Sequence, residues 1–139
     1  MDGAVTFAPG QRAELTRTIT DADVAAFARI TGDRNPLHLD DEFAGRSRFG
    51  GRIAHGILTA GLISAVIGMR LPGPGGIYLS QTLAFRRPVR IGDTITAAAE
   101  VVDYDAPRRR LRLKTTCVNQ RGETVLEGEA VVLVDARER

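Results

Sequence analysis

Residues 32–38 read Gly-Asp-Arg-Asn-Pro-Leu-His, which puts a carboxylate, an amide and an imidazole within a few positions of one another. Asp33 and His38 are residue types that exchange protons, and a pair of them facing one point makes a general acid–base site. Pro36 lies between them. Its ring fixes one backbone angle, removes an N–H and disfavours the helical region for the residue before it, so the spacing predicts a rigid, non-helical turn. Each residue also has a plainer use. An Asp after Gly at a helix end forms turns, an Asn before Pro bonds nearby backbone as Asn35 would, and a histidine can be a satisfied structural group. The pairing of Asp33 with His38 carries the expectation; neither residue does so alone.

The elements that must position this pair follow from periodicity. Residues 53–69 contain no Lys, Arg, Asp or Glu. A surface helix would show a polar face, so this run predicts a helix covered on most sides. It is short for a membrane span and is diluted by Gly56, Gly61, Gly68, His55, Thr59 and Ser64. Upstream, Ala13, Leu15 and Ile19 alternate with Glu14, Thr16 and Thr18 as in a half-buried strand. Thr20 with Asp23 has the form of a capping box, opening a helix that runs to about Ile30 and stops at Gly32. A short polar helix is expected from Asp40 to Ala44, then a Gly- and Arg-rich loop over 45–52.

Beyond the breaker Leu-Pro-Gly-Pro-Gly-Gly at 71–76, the chain reads as strand throughout. Ile77, Leu79, Leu83 and Phe85 share one face; then Ile95, Ala97, Ala99 and Val101 are inward; then Leu111, Leu113, Thr115 and Cys117 alternate against Arg110, Arg112, Lys114 and Thr116; then Leu126, Ala130, Val132 and Val134 are inward. Gly92-Asp93, Pro107 with Arg108 to Arg110, and Arg121-Gly122 are the turns between them. No repeat or linker divides the chain, so one α+β domain spans 1–139. A strongly curved antiparallel sheet covers an all-round apolar helix better than a flat one. A second copy alongside would remove an exposed edge. That is the logic of a hot-dog fold and of a homodimer.

Composition narrows the function classes. Net charge is +2 and aromatic residues are 5%, with no aromatic platform among the basic residues, so nucleic acid is not the expected partner. Cys117 is the lone cysteine, which excludes an intrachain disulfide and a thiolate metal cluster. The chain opens on no basic stretch followed by an apolar one, so the expectation is a cytoplasmic protein without a membrane anchor.

The stretch Phe27-Ala-Arg-Ile-Thr-Gly-Asp-Arg-Asn-Pro-Leu-His38, with Ala44 six residues beyond, resembles the hydratase-2 motif of the MaoC-like (R)-specific enoyl-CoA hydratases. Ile53-Ala-His-Gly56 and Phe85-Arg-Arg-Pro-Val-Arg-Ile-Gly-Asp93 are similar to the same family, and the likeness runs over about residues 15–134. It is nearest to the short bacterial members that supply (R)-3-hydroxyacyl-CoA for polyhydroxyalkanoate synthesis. The resemblance implies reversible hydration of a trans-2-enoyl-CoA to the (R)-3-hydroxyacyl-CoA, by a homodimer, with no metal and no cofactor beyond the acyl-CoA substrate. It makes Asp33 the base and His38 its partner on one water molecule.

The resemblance also implies that Gly56, opening the apolar helix, offers its N–H to the developing oxyanion. It puts Ser64 on the substrate side. His55 supports the site or closes the loop over the helix start, and Asn35 braces the turn or touches substrate. Arg46, Arg48, Arg52, Arg86, Arg87 and Arg90 are candidates to meet the coenzyme A phosphates. Chain length would be set past Ser64 and Ile67. Two rival readings stand beside this one: a dehydratase for acyl-carrier-protein thioesters of fatty-acid or polyketide synthesis, and an acyl-thioester-binding hot-dog protein without turnover. A thioesterase fits less well, because 53–69 carries no acid.

Overall fold

The structure, a computed structural model, describes residues 6–135; the ends of the expected 1–139 domain lie outside the described residues. The order is β1 (Arg12–Thr18), α1 (Asp21–Thr31), α2 (Pro36–Leu39), α3 (Asp41–Gly45), α4 (Gly56–Met69), β2 (Ile77–Gln81), β3 (Ala84–Phe85), β4 (Thr94–Asp105), β5 (Arg110–Val118) and β6 (Thr124–Leu133). The strands form one antiparallel sheet in the order β1-β4-β5-β6-β2, with β3 also on β6. Register shifts interrupt β4 between Val101 and Asp103, and β2 between Tyr78 and Ser80. Such bulges bend a strand and increase its twist, so the sheet curves around α4 as a hot-dog fold requires.

The inner face of α4 buries Thr59, Leu62, Ile63, Val66 and Ile67. They meet Ile95, Ala97, Ala99 and Val101 of β4, Leu111, Leu113 and Cys117 of β5, and Leu126, Ala130 and Val132 of β6 in one core. The two alanines leave room for the helix to lie close to β4, the strand it packs on most. Each fully buried aliphatic side chain here contributes roughly 1.5–3 kcal/mol. The inward sets expected for the last three strands are the observed ones. No helix among the described residues is long and apolar enough to cross a membrane.

α1 is fixed at both ends. Thr20 Oγ1 accepts from Asp23 N–H at 3.1 Å, and Asp23 Oδ2 accepts from Thr20 N–H at 3.1 Å. Gly32 closes the helix at φ 81°, a backbone angle that suits glycine, and its N–H reaches Ala28 O.

Three expectations need correction. Pro36 does not block a helix; it begins one, as the first residue of α2 behind the N-cap Asn35. At that position its missing N–H has no partner to lose and its fixed φ already suits the helix. The apolar helix starts at Gly56 rather than 53, because Ala54 N–H bonds Val89 O at 2.7 Å and Ile53 bridges Arg90 in extended form. The 77–85 stretch is two strands, both on β6, and three of the four residues on its apolar face stay well exposed: Ile77 is 52% exposed, Leu79 43%, and Phe85 53% although its ring lies over Gly56. Alternation there is real, but this chain covers the face only in part, at Leu83 and Phe85, and leaves Ile77 and Leu79 open.

Candidate active site

Three short segments meet at the N-terminal end of α4. The first is the turn after α1. Thr31 Oγ1 donates to Phe27 O at 2.8 Å and accepts from Asp33 N–H at 3.1 Å. Asp33 Oδ1 accepts from Asn35 N–H at 3.3 Å, and Asn35 Oδ1 accepts from Leu37 N–H at 3.0 Å. Asn35 thus spends its side-chain oxygen on capping α2. These local bonds hold Asp33 in an exposed turn with its carboxylate turned back on the chain.

The second segment is α2, which carries His38 into burial, 9% exposed. His38 Nδ1 lies 2.7 Å from Ile53 O. A carbonyl only accepts, so Nδ1 carries a hydrogen, and Nε2 is the ring nitrogen left for another partner. The third segment is residues 53–56. His55, 2% exposed, gives its Nε2–H to Asp33 O at 3.0 Å. Its ring lies 3.9 Å from that of His38, centroid to centroid, and 4.6 Å from that of Phe27.

Donor atoms of Asp33, His38 and His55 all lie within 4.8 Å of one another. That separation lets one water molecule touch both the Asp33 carboxylate and the His38 ring, since each such hydrogen bond spans about 2.8 Å. By residue type the trio could also serve a metal ion. His55 suits that role poorly, because its Nε2 carries the hydrogen given to Asp33 O and its Nδ1 is sealed from solvent with no partner.

A cavity of about 540 Å³ opens beside these residues, lined among others by His38, Gly56, Thr59, Phe85, Val125 and Leu126. Asp33 is not part of that lining. Gly56 is the first residue of α4, so its N–H has no acceptor within the helix and the positive end of the helix dipole adds to it. A side chain at Gly56 would collide with Phe85, since a Cβ would sit 2.5 Å from Phe85 Cε1. Glycine thus lets the Phe85 ring lie over the helix start; any side chain here would displace it.

The other candidates are placed as follows. Ser64 lies on the exposed face of α4, two turns beyond Gly56, and does not line the cavity. Arg48, Arg86 and Arg87 line the cavity wall. Arg86 pairs with Glu127 at 2.8 Å, Arg87 with Glu123 at 3.8 Å and Arg46 with Glu42 at 2.8 Å, all exposed enough to exchange partners at small cost. Arg52 is different. It is largely buried and committed to Asp21 Oδ1 at 2.6 Å and His38 O at 2.7 Å, so it braces the site and is not available to a phosphate.

Sequence reading missed Thr59 and Phe85 as lining residues. Thr59 is one turn after His55, the spacing that puts two residues on one helix face. Its hydroxyl is buried without a hydrogen-bond partner.

Comparisons with known proteins show the family and the fold. Residues 6–124 match the family model described as "MaoC like domain". The 3-hydroxybutyryl-CoA dehydratase of Methylorubrum extorquens is 57% identical over 124 residues, which cover 89% of this chain and 78% of that protein. The (R)-specific enoyl-CoA hydratase of Rhodospirillum rubrum is 48% identical over 128 residues, covering 92% and 88%. The solved structure of the (R)-hydratase from A. caviae involved in polyhydroxyalkanoate biosynthesis superposes with a TM-score of 0.91 at 42% identity, covering 95% of this chain and all of that one. With a family model matching residues 6–124 and a relative 57% identical over 89% of its length, the chain belongs to the MaoC-like family.

Proposed function

We propose that this protein hydrates trans-2-enoyl-CoA thioesters to (R)-3-hydroxyacyl-CoA, and runs the reverse dehydration, through Asp33 and His38. The observation that carries the reading is the convergence of the Asp33 carboxylate and the His38 ring at the mouth of α4. In the hydration direction one water bridges the two. Asp33 takes one proton from it as the oxygen attacks the β-carbon, His38 holds the same water by its ring and helps pass that one proton on to the α-carbon, and the oxygen keeps its other hydrogen as the product hydroxyl. Delivery of both parts of one water to one face gives syn addition. The Gly56 N–H supports the thioester oxygen while enolate charge develops there. The apolar cavity wall of Val125 and Leu126 takes the acyl chain, and the arginines at its edge, Arg48, Arg86 and Arg87, meet the coenzyme A phosphates. No metal or redox group enters this scheme.

The working form is a cytoplasmic homodimer in this reading. Support for the dimer comes from the uncovered outer face: β2 is a sheet edge, and Ile77, Leu79 and Ile57, the last 56% exposed, lie open along it and the adjoining helix. A second copy adding its own β2 would cover them.

One experiment tests both parts. Crotonyl-CoA, the four-carbon probe suggested by the name of the Methylorubrum relative, should lose its conjugated-thioester absorbance and yield the (R) product. The active species should sediment at twice the chain mass. A folded protein that leaves crotonyl-CoA and longer enoyl-CoAs unchanged, or makes the (S) product, overturns the reaction. An active monomer overturns the dimer.

A further inference from the structure

We propose that His55 is a positioning residue: an imidazole that sets the geometry of Asp33 against His38 and ties both to the first N–H of α4. The inference rests on the hydratase reading of Asp33 and His38.

The imidazole touches both members of the pair, by two different means. Its Nε2–H holds Asp33 O at 3.0 Å, and its face lies 3.9 Å from the His38 ring. Phe27 of α1 packs against the same ring at 4.6 Å, so it sits among aromatic neighbours from two helices. The other hydrogen bonds described for residues 33–35 run to partners within three positions in sequence. The bond from His55 is thus the one among them that fixes the Asp33 turn against a distant element.

His55 is also covalently next to Gly56. Its own position is pinned from behind by Ala54 N–H on Val89 O at 2.7 Å. A shift of this ring would move the carboxylate turn, the His38 ring and the oxyanion donor relative to one another. Displacement of a reacting group by about 1 Å is enough to cost about 100-fold in rate.

The chemistry of the ring fits that task. With the hydrogen on Nε2 and Nδ1 buried without a partner, the side chain makes one directed bond and one flat contact, and it is too enclosed to meet solvent or substrate itself. A residue needed only for packing would have no use for the N–H. One needed only to cap the turn would have no use for the ring.

The two uses separate by mutation. His55→Phe keeps the ring face and removes the N–H; His55→Gln keeps an N–H donor and removes the ring face. Each is measured with crotonyl-CoA in the wild-type and the Asp33→Asn backgrounds, with folding checked by thermal melting. Each single variant should lower kcat about 10- to 100-fold with KM within about threefold, the pattern of a lost transition-state geometry.

In the Asp33→Asn background the same substitutions should cost less than about threefold, because no base remains to be positioned. A full multiplicative loss in that background, a change in KM alone, or unchanged kcat in both variants overturns the proposal. If one variant fails to fold, the other decides. Near-wild-type activity in Asp33→Asn itself would remove the hydratase reading first, which separates that failure from this one.

Discussion

The sheet core and the edge at residues 31–56 are built from opposite kinds of contact. In the core, Leu111, Leu113, Ala130 and Val132 are fully buried and hold α4 by apolar packing alone. At the edge, Asp33 is exposed, α2 and α3 are single turns, and order comes from directed bonds. Those bonds are the Thr31 and Asn35 side chains to backbone, His38 to Ile53 O, His55 to Asp33 O and Arg52 to His38 O. The difference teaches where each property resides. Removing an edge group should change rate and leave stability nearly alone, while trimming the core should do the reverse.

His38→Gln tests the first half most severely. Glutamine can still donate to Ile53 O but offers no basic nitrogen, so kcat should fall about 1,000-fold with the melting temperature within about 5 °C. A loss of stability to match the loss of rate would erase the distinction between the regions. Leu113→Ala tests the second half. It should lower stability by about 2–5 kcal/mol by transfer and cavity terms, read by urea unfolding, while the folded fraction keeps near-normal kcat. A collapse of kcat at full folding would show the core steering the chemistry.

Thr20→Ala sharpens the boundary. Its capping box starts α1, whose other end delivers Asp33. The expected cost is about 1 kcal/mol of stability, with kcat within about twofold. A larger rate effect would place α1 on the catalytic side of the comparison.

The same contrast explains what could be read from sequence. The core was legible because a strand covered on one face writes its inward residues at every second position, as Leu111, Leu113 and Cys117 do. The rule said less at Ile77 and Leu79. Their alternation marks a face that this chain leaves uncovered, and periodicity says that a face is buried without saying by what. At the edge, the Asp33–His38 pair was legible from residue type and motif. His55 and Asn35 were named as possible supports, but the bonds they make were not legible, because His55 bonds a carbonyl 22 residues away, and backbone partners leave no trace in side-chain identity. Pro36 illustrates the same limit: the residue that breaks a helix in its middle opens one at its first position, and only the N-cap bond of Asn35 decides which applies.

The most direct test of the account is the turnover of crotonyl-CoA by Asp33→Asn beside the wild-type protein. The amide keeps the size of the side chain, and its oxygen still accepts from Asn35 N–H, but it cannot take a proton. The account predicts about a 1,000-fold fall in kcat, with an unchanged thermal melt and unchanged oligomeric state. Hydration at close to the wild-type rate in a correctly folded Asp33→Asn protein would contradict it.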